Sequence, residues 1–116
     1  MSNHVLKRIA SLRELIKQGL HQANLDKLVA GCNGLSQDSS HILIFFVLKQ
    51  VFKDMSEAME GEAITPERYN TLTDGIVEAS IVIIDELANG AQLEAFDLEP
   101  IVRTHLRNLN VFRASR

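Results

Sequence analysis

The chain has 116 residues and a mass of 13.0 kDa, which is the length of one ordinary domain. Its content of 46% hydrophobic and 23% charged residues excludes an intrinsically disordered or collagen-like chain. A net charge of −3 disfavours nucleic acid as the main partner, because non-specific binding needs a basic surface that neutralises phosphates. We therefore expect residues 1–116 to form a single folded domain.

Charged side chains are unevenly distributed along the chain. Residues 1–30 carry a net charge of +3, residues 31–60 of −2, residues 61–100 of −8 and residues 101–116 of +4. We expect the basic ends and the acidic middle to lie side by side in the fold or in an oligomer. The alternative is a basic patch for an acidic partner. The patch would consist of Lys7, Arg8, Arg13, Arg103, Arg107 and Arg113 together with Arg116.

The cysteine count and the apolar runs bear on the compartment. Cys32 is the only cysteine, so no disulfide can form within the chain, and a reducing cytoplasm fits best. The N-terminus lacks the apolar stretch of a signal peptide. The longest apolar run, Ile42 to Leu48, has seven residues, whereas about 20 are needed to span a bilayer. We expect a cytoplasmic protein without a membrane span.

The first segment has the spacing of an amphipathic helix. Apolar residues recur every three or four positions from Val5 through Ile16 to Ala23, which places them on one stripe and predicts a helix over 4–22. A bend near Asn24 separates it from a short extra helix over about 24–31. We expect the loop from Gly31 to Gly34 to end this piece.

The second main helix is predicted over 38–60. Residues 36–40 supply side-chain oxygens that suit a helix start, and Gly61 is placed to end the helix. By composition residues 42–48 also suit a buried strand, but Val51, Met55 and Met59 continue with helical spacing and no turn residue intervenes. Because its first half is apolar nearly all round, we expect this helix to be central.

Thr65, Pro66 and Glu67 form the strongest helix-start signal, with an N-cap hydroxyl, proline at the first position and an acid near the positive end of the dipole. They predict a third helix over 66–89. It carries two apolar stripes, which imply two neighbours in a bundle interior or at a subunit interface. The stripes are Tyr69, Leu72, Ile76, Ser80, Ile83 and Leu87, and Val77, Ile81, Ile84 and Ala88.

A last helix over 99–112 begins with Pro100 in its first turn. The sequence therefore predicts an all-α bundle of four main helices with a short extra helix.

No catalytic, cofactor-binding or metal-ligating set is predicted. The four histidines have neither metal spacing nor a Glu three residues before them, and Cys32 has no histidine at a recognisable offset. We expect His105 to be a core or interface histidine with one hydrogen-bond partner. His21 and His41 keep a histidine phosphotransfer role open as a less favoured alternative.

The apolar content favours a non-enzymatic helical interaction module, an adaptor, regulator or accessory subunit, that forms a homo-oligomer, most simply a dimer, and binds a protein partner. The alternative is a ligand-binding sensor with an apolar pocket between the helices over 38–60 and 66–89, anchored by Tyr69 or His105. A third possibility is that these apolar residues only pack the hydrophobic core of the bundle. The predicted interface or pocket residues are Phe45, Phe46, Phe52, Met55, Met59, Tyr69, Val77, Ile81, Ile84 and His105.

Overall fold

The computed structural model describes residues 3–38, 41–60 and 65–114, and for residues 112–114 it describes the backbone alone. This part of the chain contains helices and no strand, so the predicted all-α bundle is confirmed. One 3₁₀ turn, Ala95–Leu98, precedes the last helix. The helices are α1 (Asn3–Gln18), α2 (Gln22–Asp38), α3 (Ile42–Glu60), α4 (Pro66–Ala88) and α5 (Glu99–Ala114).

The five helices close around one common core. Helix α1 packs against α2 and α4, α2 packs against α3, and α5 packs against α4 and α3. Each helix contributes side chains without exposed surface, for example Ile9, Leu28, Phe52, Ile84 and Ile101. Burying apolar side chains of this kind is the main stabilising contribution to such a bundle.

Helix α1 is shorter than predicted. It ends at Gln18 instead of residue 22, because Gly19 adopts a φ of +112°, a left-handed conformation through which a helix does not continue. After this turn α2 begins at Gln22.

Helix α2 is much longer than predicted, and the expected loop from Gly31 to Gly34 is wrong. The helix runs through both glycines to Asp38. Beyond Gly31 it buries Cys32 and Leu35 completely. Burial of one such side chain contributes about 1.5–3 kcal/mol, whereas glycine in a helix costs about 1 kcal/mol relative to alanine. Tertiary packing therefore outweighs the local preference for a turn.

Helix α3 begins at Ile42, four residues later than predicted, because Asp38 is still the last residue of α2. Residues 39 and 40, part of the predicted capping segment, and the predicted stop at Gly61 lie outside the described residues. The carbonyl of His41 accepts a hydrogen bond from the Phe45 amide (3.2 Å), which marks the first turn. The second half of the helix follows the predicted register to Glu60.

Helix α4 starts as predicted and ends one residue earlier. The Thr65 hydroxyl accepts a hydrogen bond from the Arg68 amide (3.3 Å), and Pro66 is the first helical residue. The helix lies between α1 and α5, so both of its apolar stripes have neighbours within this chain. In the second stripe Ile84 is fully buried, and Val77 and Ile81 pack partly buried against the core. Three of the four residues of this stripe therefore pack against the core, and Ala88, the last residue of the helix, is exposed.

Helix α5 begins at Glu99, as predicted, and extends two residues further, to Ala114. The buried amide of Asn108 donates a hydrogen bond to the Leu72 carbonyl (3.1 Å) and holds α5 against α4. Leu98, in the preceding 3₁₀ turn, is also buried.

Candidate functional site

The first turns of α3 expose a small group of large apolar side chains. Ile42 is 59% exposed, Leu43 51% and Phe46 57%. The first half of α3 is therefore not buried on all sides, as its apolar composition had led us to expect. Phe46 lies four positions after Ile42 and three after Leu43, so the three side chains are neighbours on one helix face. We call this group the α3 patch. Phe96, 81% exposed, lies in the 3₁₀ turn that also contacts α3.

Ile42 and Leu43 were not among the predicted interface residues, although the sequence contains a signal for them. Further along the same face of α3 come Gln50, Lys53 and Glu57, all exposed. A face that continues as polar residues is the solvent side of an amphipathic helix. The register of the polar second half of α3 therefore predicts that the apolar residues at the start of this face lie on the surface.

Most of the predicted interface or pocket residues are buried or partly buried inside the bundle. Phe46 is the exposed one among the ten, and Met59, Val77 and Ile81 are partly buried. The remaining side chains belong to the core or are nearly enclosed, and they are Phe45, Phe52, Met55, Tyr69, Ile84 and His105.

Two residues of the predicted basic patch, both in α1, pair with carboxylates of other helices. Arg8 Nη1 lies 2.9 Å from Asp38 Oδ2, which joins the start of α1 to the end of α2. Arg13 Nε lies 2.6 Å from Asp85 Oδ1, and its Nη2 donates to Oδ2. The hydrogen bond and the charge of Asp85 raise the pKa of Arg13. Both pairs join the basic N-terminal segment to more acidic segments, as the charge distribution suggested.

Among the described residues, the predicted basic residues lie on two helices, α1 and α5, and α4 packs against both. Arg103 pairs with Glu99 one turn before it in α5. Lys7 in α1 and Arg107 in α5 are exposed, but α4 lies between these two helices. The side chain of Arg113, and all of Arg116, lie outside the described residues.

His105 joins α5 to α3. Its Nε2 lies 2.9 Å from Asp54 Oδ2, and the two side chains are 9% and 20% exposed. Since an ionised carboxylate is an acceptor, Nε2 carries the proton and donates it. The buried Nδ1 has no hydrogen-bond partner within the described part of the chain. His105 is thus the expected buried histidine with one partner, and Asp54 is a partner that sequence spacing did not reveal.

A partly open cavity of about 570 Å³ lies at the end of the bundle where α1 meets α2 and α3 meets α4. Residues 18–21, from the turn after α1, form one wall. Met59 from α3 and Pro66, Tyr69 and Asn70 from α4 form the other. The predicted pocket residues Met59 and Tyr69 therefore do line a cavity, together with the turn at residues 18–21, which lies a few residues before the predicted bend near Asn24. His105 is not part of its lining.

Hydrogen bonds from two helices hold this turn. The Tyr69 hydroxyl donates to the Leu20 carbonyl at 2.5 Å, and burial raises the pKa of this hydroxyl, which keeps the donor protonated. From the other side the buried Asn24 amide donates to the carbonyls of Gly19 (3.0 Å) and Leu15 (3.4 Å). Hydrogen bonds within the protein therefore hold this wall of the cavity in place.

Other chemically distinctive groups do not assemble into a site. In residues 3–38, 41–60 and 65–114, no group of three or more histidine, cysteine or acidic side chains is placed to hold a metal ion. No helix in the same ranges is long and apolar enough to cross a membrane. Cys32 is fully buried, and this burial raises the pKa of its thiol to about 12. His21 is exposed and lines the cavity, whereas His41 is buried.

Comparison with known proteins found no matching family model, no matching curated protein and no matching solved structure. The class that the fold defines is that of all-α helical bundles.

Proposed function

We propose that this chain is a non-enzymatic helical interaction module, an adaptor, regulator or accessory subunit, whose α3 patch pairs with the same patch of a second copy. The observation that supports the proposal is the exposure of Ile42, Leu43 and Phe46 by more than half on one helix face. Single exposed apolar residues are common on protein surfaces, but neighbouring large ones mark association surfaces. The lone buried thiol of Cys32 suits a reducing compartment, and we propose the cytoplasm as the location.

Two charged residues continue the exposed face of α3 beyond the α3 patch. Lys53 and Glu57 are exposed, lie on the same face one turn apart, and form no ion pair within the described residues. In two parallel α3 helices related by a two-fold axis, Lys53 would lie level with Lys53 of the second copy and Glu57 level with Glu57, so opposite charges would meet only diagonally, one turn apart. The part of this face that is complementary to itself is therefore the apolar α3 patch.

Replacing Phe46 by glutamate tests this proposal. A two-fold interface contains Phe46 twice, and covering the exposed half of one phenylalanine contributes roughly 1 kcal/mol. We therefore expect Phe46→Glu to weaken the dimer about 30-fold or more. Sedimentation velocity over a concentration series measures the dissociation constant.

Val82→Glu is the matched control, because Val82 is also 57% exposed but lies on α4, away from the α3 patch. This variant should dimerise like the wild type. A wild-type chain that remains monomeric at every concentration, or equal weakening by both substitutions, would contradict pairing through the α3 patch.

A further inference from the structure

We infer that the cavity at the α1–α2 turn binds a small, uncharged and largely apolar molecule. The inference does not depend on dimerisation, because the α3 patch contributes no residue to the cavity. It assigns this end of the bundle a role that the proposed interaction function does not require.

The size of the cavity fits a small organic ligand. Its volume of about 570 Å³ lies inside the range of roughly 300–1,000 Å³ typical of ligand pockets. Leu20, Met59, Pro66 and the ring of Tyr69 supply apolar contact surface. Met59 is partly buried, and its unbranched thioether can adjust to the outline of a bound molecule.

The polar part of the lining indicates the charge of the ligand. Gln18, His21 and Asn70 are exposed amides and an imidazole, and among residues 3–38, 41–60 and 65–114 no lysine, arginine, aspartate or glutamate lines the cavity. A charge held against apolar walls loses hydration and needs an oppositely charged partner, and the described part of the lining contains no lysine, arginine or carboxylate to supply one. Amide groups and an imidazole instead suit one neutral hydroxyl, amine or carbonyl group. The hydroxyl of Tyr69 is already committed to the Leu20 carbonyl.

The test uses N-phenyl-1-naphthylamine, a neutral apolar fluorophore with one N–H donor, titrated into the full-length protein. Tyr69 is the only tyrosine and the chain has no tryptophan, so intrinsic emission reports on the cavity wall alone. Binding at this site should raise the emission of the dye and change that of Tyr69 with the same midpoint. The anionic analogue 1-anilinonaphthalene-8-sulfonate should bind about tenfold more weakly, because the described lining holds no lysine or arginine to pair with its sulfonate.

A cavity-filling variant and its matched control locate the bound dye. Gln18 is exposed at the end of α1, so Gln18→Phe can occupy the cavity without disturbing the core, and it should weaken dye binding about tenfold or more. Gln37→Phe makes the same change at an exposed position near the end of α2, outside the lining, and should leave binding unchanged. Circular dichroism and thermal unfolding verify that both variants fold.

Three results would overturn the inference: no dye binding, binding without a change in Tyr69 emission, or equal binding by wild type and Gln18→Phe. Binding that Phe46→Glu abolishes and Gln18→Phe preserves would place the dye on the α3 patch and would also overturn it. A monomeric wild-type chain that still binds the dye at the cavity would contradict the proposed dimer and leave this inference intact.

Discussion

Cys32 shows at the scale of one residue how burial determines chemistry. The thiol has no exposed surface, and its pKa rises from 9.0 to about 12 because the thiolate would lose its hydration inside the core. Since the thiolate is the reactive form, the folded protein should hold this cysteine inert. The only cysteine of the chain is therefore a small apolar core residue.

We predict that Ellman's reagent does not react with the native protein at pH 8 within minutes and labels one thiol per chain in urea. Absorbance of the released thionitrobenzoate measures the reaction. Rapid labelling of the native protein would contradict the buried position of Cys32.

The same shift predicts how stability depends on alkaline pH. The folded pKa lies above the unfolded value, so the stabilising effect is complete below about pH 9 and is lost as the pH rises towards 12. Over this window the free energy of unfolding falls as the pH rises, because the unfolded chain ionises the thiol before the folded protein does. Urea unfolding of wild type and Cys32→Ala should give a shallower alkaline decline for the variant. Parallel declines would contradict the assignment.

At the scale of elements, α1 and α2 approach each other at a glycine of α2. A Cβ atom at Gly31 would lie 2.7 Å from Leu12 Cδ2, and Leu12 is buried and cannot easily move. A Cβ at Gly34 would meet instead the end of the Arg8 side chain, which is flexible and partly exposed. The close approach of α1 therefore leaves no room for a side chain at Gly31, whereas the side chain opposite Gly34 can move.

We predict opposite outcomes for alanine at these two positions. Gly31→Ala should destabilise the protein by about 1 kcal/mol, because an overpacking cost of roughly 1–3 kcal/mol exceeds the helix-propensity gain of about 1 kcal/mol. Gly34→Ala should be neutral or slightly stabilising, since displacing Arg8 from Asp38 costs little at the surface. Urea unfolding followed by circular dichroism compares them. Stabilisation by Gly31→Ala would contradict the close helix approach.

At the scale of the whole molecule, each of the helices α1, α2, α3, α5 and α4 contacts the next, and α4 contacts α1, so the five form a ring. The contact between His105 and Asp54 joins α5 to α3 in this ring, across 51 positions of the sequence, and both side chains are mostly buried. The contact lies between the last helix of the chain and the helix that carries the α3 patch. A mostly buried pair of this kind contributes more to stability than an exposed ion pair.

We predict a coupling energy of about 1 kcal/mol between these side chains. A double-mutant cycle with Asp54→Ala and His105→Ala, followed by urea unfolding at pH 7, measures it. Either single variant leaves one mostly buried polar group unpaired and should lose about 1–3 kcal/mol. The exposed pair Arg103 and Glu99, treated in the same way, should show a much smaller coupling. Coupling near zero for the first pair would contradict this role.

The sequence by itself determined that the chain is helical and where several helices begin. The spacing from Val5 to Ile16 and the Thr65–Pro66 start are local signals, since helical periodicity and capping need only neighbouring residues. The buried character of His105 followed from the apolar residues beside it in α5. These features were predictable because no contact distant in sequence was needed to specify them.

Tertiary structure alone decided the remaining features. Helix α2 passes through Gly31 because Cys32 and Leu35 are buried in the core beyond it, and most of the second stripe of α4 packs inward because α1 lies beside it. The cavity joins residues 18–21 to Met59 and Tyr69, which are far apart in the sequence. Local preferences of about 1 kcal/mol are overridden by burial energies that depend on which helices become neighbours, and sequence periodicity does not specify those neighbours.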